Sequence, residues 1–141
     1  MANVIRISEA ASMALHAMAF LASEPERTVS SKEMASTLGR SQAHLSKVLQ
    51  RLGKAGLVNS TRGPKGGFVL KLPAGEISLL EIYECMEGPL EETKCLLDQP
   101  ICEGGKCIFG ELLNKIDQEA REYLSGRKLS DSPRVLGVKR R

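Results

Sequence analysis

Residues 41–70 read "SQAHLSKVLQRLGKAGLVNSTRGPKGGFVL", and the pattern changes character midway through them. Leu45, Val48, Leu49 and Leu52 recur at three- and four-residue spacing, which predicts a helix with one apolar stripe. Ser41 is placed to cap that helix and Gly56 to end it. "LVNSTR" and "FVLKLP" are β-prone runs flanking "GPKGG", which predicts a two-stranded hairpin with a glycine-rich tip. Gly63, Gly66 and Gly67 permit turns closed to other residues and let main-chain N–H groups approach phosphates.

Upstream, "SSKEMASTLG" (30–39) predicts a second helix. Ser30 and Glu33 stand in the S-x-x-E relation of a capping box, Met34, Ala35 and Leu38 supply a buried face, and Gly39 stops the run. The turn at Gly39–Arg40 is very short, so the two helices match a helix-turn-helix, and the hairpin makes it a winged one. A further helix spans Ser8 to Ala22, with Met13, Ala14, Ala17, Met18 and Leu21 on one stripe. The expected fold class is mainly α with a small β wing, followed by a long dimerisation helix.

The face opposite the Leu/Val stripe then meets the major groove. Ser41, Gln42, Ala43, His44, Ser46 and Lys47 project from it or lie at the helix N-terminus, where base edges are reached. Gln42 suits adenine, while Lys47 or Arg51 suits phosphate or guanine. Arg62 and Lys65 bring positive charge to the wing tip, a slim probe for the narrow, negative minor groove. For His44 a packing or capping role competes with base contact.

Charge is segregated along the 141 residues. Residues 1–75 carry ten Lys/Arg against four Asp/Glu, residues 76–126 four against twelve, and residues 127–141 six against one. The expected organisation is a DNA-binding unit over 1–75, a cysteine sensor loop with dimerisation helix over 76–126, and a basic, flexible tail over 127–141. No run of 18 apolar residues and no secretory pattern occurs, so the expectation is a cytoplasmic protein without membrane partners. With two histidines and no nucleophile–base–orienter set, an enzyme is not expected.

"GRSQAHLSKVLQRLGKAGLVNSTRGPKGGFVL" resembles the recognition helix and wing of the Rrf-two family of bacterial regulators, the IscR, NsrR and CymR type. "RISEAASMALHAMAFLA" is similar to that family's first helix, and the likeness covers roughly residues 4–125. It implies a homodimeric transcriptional regulator, usually a repressor, bound to double-stranded DNA at a pseudo-palindromic operator. Carried onto this chain, it implies contacts from Ser41, Gln42, Ala43, His44, Ser46 and Lys47, and minor-groove entry by Arg62.

The second half adds "ISLLEIYECMEGP", a helix opened by Ser78 and Glu81, in which Cys85 sits beside the apolar stripe as core filling. Phe109, Leu112, Leu113, Ile116, Ala120, Tyr123 and Leu124 make a near-heptad stripe on a helix of about seventeen residues. A winged helix has no need of it, but a dimer does. Pairing along it sets two recognition helices about one DNA turn apart, roughly 34 Å.

Between them lies "CLLDQPICEGGKC", with Cys95, Cys102 and Cys107 spaced C-x6-C-x4-C. Reducing compartments do not keep disulfides, so such a cluster points to metal or redox chemistry. Soft thiolates select zinc, copper(I) or iron–sulfur clusters, and the spacing lacks the C-x2-4-C pairs of structural zinc. Pro100, Gly104 and Gly105 let the loop wrap an object and donate N–H to sulfur. Cys107 is expected just before the long helix, where the dipole favours thiolate.

An iron–sulfur cluster, [2Fe-2S] or [4Fe-4S], is therefore expected on Cys95, Cys102 and Cys107, making the chain a sensor of redox state, nitric oxide or iron–sulfur status. Where some family members place a histidine ligand this chain has Gly110, and where others take a carboxylate from the partner subunit's first helix the aligned position is Ser12. Glu9 and His16, one turn to either side, are the substitutes for a fourth ligand. The alternative is a metal-free regulator of the same family, responding to thiol oxidation or to a partner enzyme.

Overall fold

The computed structural model describes residues 5–92, 95–103 and 107–134. In chain order it contains α1 (Glu9–Ser23), α2 (Ser31–Leu38), α3 (Gln42–Lys54), β1 (Val58–Thr61), β2 (Gly67–Leu70), α4 (Leu79–Glu87) and α5 (Leu112–Gly126). Serine hydroxyls open the first four helices. Ser8, Ser30, Ser41 and Ser78 accept from the N–H groups of Ala11, Glu33, His44 and Glu81 at 3.1, 3.1, 3.3 and 3.1 Å. Each such cap is worth about 1 kcal/mol.

The box expected at Ser30 is only half made. Glu33 turns its carboxylate to Arg27 instead, whose Nη1 and Nη2 donate to it at 2.9 and 2.6 Å. That pairing holds the Glu33 carboxyl below the usual carboxylate range. At the other end of α2, Gly39 adopts φ +65° and the Arg40 N–H returns to the Ala35 carbonyl at 3.0 Å. This left-handed exit turns the chain into α3 within two residues, which is the helix-turn-helix.

The core is built around α1, which buries Ala11, Met13, Ala14, Ala17, Met18, Ala19, Phe20 and Leu21. Met34 from α2 and Leu45, Val48, Leu49 and Leu52 from α3 pack into it, as the spacing predicts. Ile77, Ile82, Tyr83, Met86 and Leu90 belong to that same core. The α1–α4 contact is also bonded: Tyr83 donates its hydroxyl to the Arg6 carbonyl at 2.8 Å, and the Glu87 carboxylate accepts from both the Ser8 N–H and its hydroxyl. The helix following residue 75 is thus packed into the winged-helix core.

Residues 127–131, expected to open a flexible tail, are docked on the fold. Leu129 is 1% exposed and its N–H donates to the Ile77 carbonyl at 2.7 Å, while Leu79 N–H donates to Arg127 O at 3.0 Å. Burial of one leucine and two backbone bonds dock residues 127–131, ending in a 3-10 turn at Leu129–Asp131. Residues 135–141 lie outside the described residues.

The wing is an antiparallel pair in the register Val58↔Leu70 to Thr61↔Gly67. A third strand position, of which the sequence pattern gives no sign, joins it: Val29, before α2, bridges Phe68. Helix α5 starts at Leu112 rather than near Phe109, and its apolar stripe divides into two faces. Leu113 is buried, with Ala120 and Leu124 partly buried against the core, whereas Phe109, Leu112 and Tyr123 are 46, 49 and 55% exposed. Among the described residues no helix is long and apolar enough to cross a membrane.

Candidate nucleic-acid interface and cysteine loop

With its Leu/Val stripe buried, α3 presents Ser41, Gln42, Ala43 and Lys47 to solvent, and His44 and Ser46 half-buried. Ser41 uses a lone pair for the cap yet keeps its O–H free to donate. Gln42 Nε2 lies 3.4 Å from the Ser31 hydroxyl, which steadies it across the turn. Arg51, expected to reach DNA, is exposed and turns one guanidinium nitrogen to α4. Its Nη2 donates to the Cys85 and Met86 carbonyls, both at 3.1 Å, so the guanidinium satisfies the end of α4. Bare helix-terminal carbonyls draw a cation, and a sequence pattern in α3 alone carries no sign of them.

Arg62 and Lys65 are exposed at the wing tip. The tip is closed by Gly66 N–H on the Gly63 carbonyl at 2.9 Å, with Gly63 at φ +109°. A Cβ on Gly66 would collide with the Thr61 carbonyl, and one on Gly67 with the Val29 carbonyl. Both glycines are thus required by close backbone approach. Among the described residues Lys47, Arg62 and Lys65 have no carboxylate partner, so their charge is available to an anion.

In the cysteine loop, Cys95 and Cys107 are half-buried and Cys102 is exposed. The Leu97 N–H points to Cys95 Sγ and the Phe109 N–H to Cys107 Sγ, each at 3.4 Å. Backbone donors on sulfur favour thiolate and the charge of a thiolate-bound group, so the donor set fits an iron–sulfur cluster in type. The described residues nevertheless bring no three His, Cys, Asp or Glu side chains together as one ligand set. Cys107 stands in a turn closed by Gly110 N–H on its carbonyl at 2.8 Å, five residues ahead of α5, so the helix dipole acts on it less than expected. Gly104 and Gly105 lie outside the described residues.

Cys85 packs against the core as expected, and burial pushes its thiol pKa up. Glu9 and His16, expected as alternative ligands, share an outward face of α1 with Ser12. Glu9 is paired with Arg40 at 3.6 Å, an exposed and weak contact. His16 is exposed rather than near the core, and its Nδ1 lies 2.7 Å from the Ser12 carbonyl. A carbonyl partner requires the proton on Nδ1, which leaves the Nε2 lone pair outward. Ser12, Met13, His16, Leu38 and Arg40 line a half-open pocket of about 110 Å³.

Residues 7–132 match the profile of Rrf2, described as an iron-dependent transcriptional regulator. The chain belongs to the Rrf2 family. Among its Rrf2 and other regulator relatives, two helix-turn-helix proteins of Neisseria meningitidis are 32% identical over 84 residues, 60% of this chain and 57% of theirs. The chain therefore spans little more than half the length of those curated relatives. The structure of CymR, the global cysteine regulator of B. subtilis, superposes with a TM-score of 0.77 at 30% identity, over 90% of this chain and 95% of CymR. IscR of T. potens gives 0.71 at 27%, over 90 and 85%. These Rrf2 neighbours are transcriptional regulators rather than enzymes, and they share the mainly helical, winged architecture.

Proposed function

We propose that the chain is a homodimeric, DNA-binding transcriptional regulator, acting as a repressor at a pseudo-palindromic operator. Ser41, Gln42, Ala43, His44, Ser46 and Lys47 read the major groove, and Arg62 and Lys65 enter the minor groove. The observation that carries this reading is the placement of unpaired cationic side chains on both the exposed α3 face and the wing tip. The exposed α5 face of Leu112 and Tyr123, with Phe109, is the dimer contact, and apolar area of that kind needs a cover. Residues 1–75 are the DNA-reading part, 76–126 the sensing and dimerising part, and the basic tail the segment after 131.

In this reading Cys95, Cys102 and Cys107 hold an iron–sulfur cluster, supported by soft donors and by N–H bonds to two of the sulfurs. The cluster supplies a redox- and nitric-oxide-sensitive group whose gain or loss changes operator affinity. His16 is favoured over Glu9 as the fourth ligand, because its Nε2 is free while Glu9 is paired with Arg40. A metal-free regulator, sensing thiol oxidation or a partner enzyme, is the second reading. It draws support from the lack of a converged ligand set among the described residues.

Anaerobic purification with iron and sulfide analysis separates them. The first reading expects brown protein that loses its colour in Cys95→Ser, Cys102→Ser and Cys107→Ser and keeps it in Cys85→Ser. Loss of colour in His16→Ala but not in Glu9→Ala assigns the ligand. Colourless protein, or zinc at full occupancy, overturns the cluster.

A further inference from the structure

Arg51 and Cys85 are bound to each other twice. The guanidinium of Arg51 spans the last carbonyls of α4, at Cys85 and Met86, and the Cys85 thiol returns a hydrogen bond to the Arg51 carbonyl at 3.6 Å. Half-burial raises the thiol pKa, so the sulfur keeps the proton it donates. The recognition helix and α4 therefore meet through groups of complementary polarity: orphan helix carbonyls, a cation, and a neutral donor.

The segment leaving α4 is also anchored. Gly88 N–H closes on Glu84 O at 2.9 Å, and Leu90 N–H donates to the Glu84 carboxylate at 3.2 Å. The Leu90 carbonyl accepts from the Arg121 guanidinium of α5, and its side chain is 8% exposed. Leu90 is thus pinned to α4 through Glu84 and to α5 through Arg121, and Cys95 begins the cysteine loop a few residues later. A continuous set of short-range contacts runs from Leu90 through Glu84 to the α4 terminus and into α3.

We propose that Arg51 and Cys85 form the joint through which the strap entering the cysteine loop positions the recognition helix. This rests on the reading of α3 as the DNA-reading element. Arg51 is then a positioning residue rather than a phosphate contact, and its contribution to binding lies in the pose of α3. A joint of this kind carries displacement from one helix to the next because packed helix ends shift as units rather than deform continuously.

Amide hydrogen exchange on the full chain tests the joint without operator or iron. Glu84→Ala, on the strap side, is expected to raise exchange at residues 51–57 about tenfold, and Arg51→Gln to raise it at residues 86–92 on the same scale. Arg51→Lys, which restores a cation but not the reach and shape of the guanidinium, falls between. Arg51→Gln and Cys85→Val should be non-additive, since each removes part of one contact. In operator binding, Arg51→Gln is expected to weaken affinity about tenfold with the salt slope unchanged, whereas loss of a phosphate contact lowers that slope by about one. Exchange that rises only within the substituted helix, or a salt slope that falls, overturns the proposal. If the chain binds no operator at all, the DNA-reading role fails while the exchange result still decides the joint.

Discussion

Val29 and Phe68 exchange a pair of backbone hydrogen bonds, 3.0 and 2.8 Å long, that stitch the wing to the segment leading into α2. Strand β2 is therefore held along both edges, by β1 on one side and by Val29 on the other. The wing's orientation relative to α3 is set by ladder bonds rather than by the hairpin alone. Gly67 makes this possible, because any side chain there meets the Val29 carbonyl. Gly67→Ala is expected to break the bridge, destabilise the chain by roughly 1–3 kcal/mol, and weaken operator binding more than Gly63→Ala at the open tip. Thermal unfolding and binding anisotropy together check it.

Charge at the two reading elements should be visible in salt dependence. Lys47→Ala and Arg62→Ala are each expected to weaken binding and to lower the slope of log affinity against log salt by about one. A titration of binding against potassium chloride with a fixed operator duplex measures both quantities.

Leu129 tests where the folded unit ends. Leu129→Ala removes a side chain that is 1% exposed and is expected to cost about 2–5 kcal/mol, the range for leucine truncation in a packed core. A chain ending at residue 134 should keep wild-type stability, whereas one ending at 126 should not. Urea unfolding followed by circular dichroism resolves the three.

The Arg27–Glu33 pair gives a modest pH signature. The folded-state Glu33 pKa is depressed chiefly by its hydrogen bonds to Arg27. A depressed carboxylate contributes stability that is complete above the unfolded value, about 4.3, and is lost as pH falls through the lower folded value. Glu33→Gln should therefore match wild type more closely below about pH 4 than at pH 7, with a small difference throughout because the pair is exposed. Melting temperatures across that range check the sign.

On α5, Leu112→Glu and Tyr123→Glu place charge on the exposed apolar face and should yield monomer without loss of helix content. Sedimentation with circular dichroism reads both.

Much of the fold is legible in the sequence because it is written in local chemistry. The stripe of Leu45, Val48, Leu49 and Leu52, the serine caps and the glycine at residue 39 are signals within a few residues of their effect. The features that escape a sequence reading depend on residues far apart in the chain. Arg51 turning to α4, Val29 joining the wing and Leu129 closing the core all require a partner that no periodicity names, and even Glu33 turning to Arg27, six residues back, follows no helical spacing. Asp117 escapes a sequence reading too: the side chain sits at 3% exposure on the buried face of α5, where a heptad reading admits only apolar side chains. The candidate DNA face is legible because it is the complement of a buried stripe, while the mutual placement of three cysteines is a property of loop conformation that spacing does not encode.

The bond from Ser8 to Glu87 joins positions 79 residues apart. On a ribosome adding about 5–20 residues each second, the N-terminal helix waits roughly 4–16 s for the carboxylate that its Ser8 cap leans on. Leu129, which completes the same core, arrives later still. The helix-turn-helix is made before α4 and Leu129, which complete its core, so during synthesis its apolar faces stay open to chaperones and to neighbouring nascent chains. A ribosome that stalls anywhere before α4 leaves behind not a working half-protein but an unfinished, sticky one.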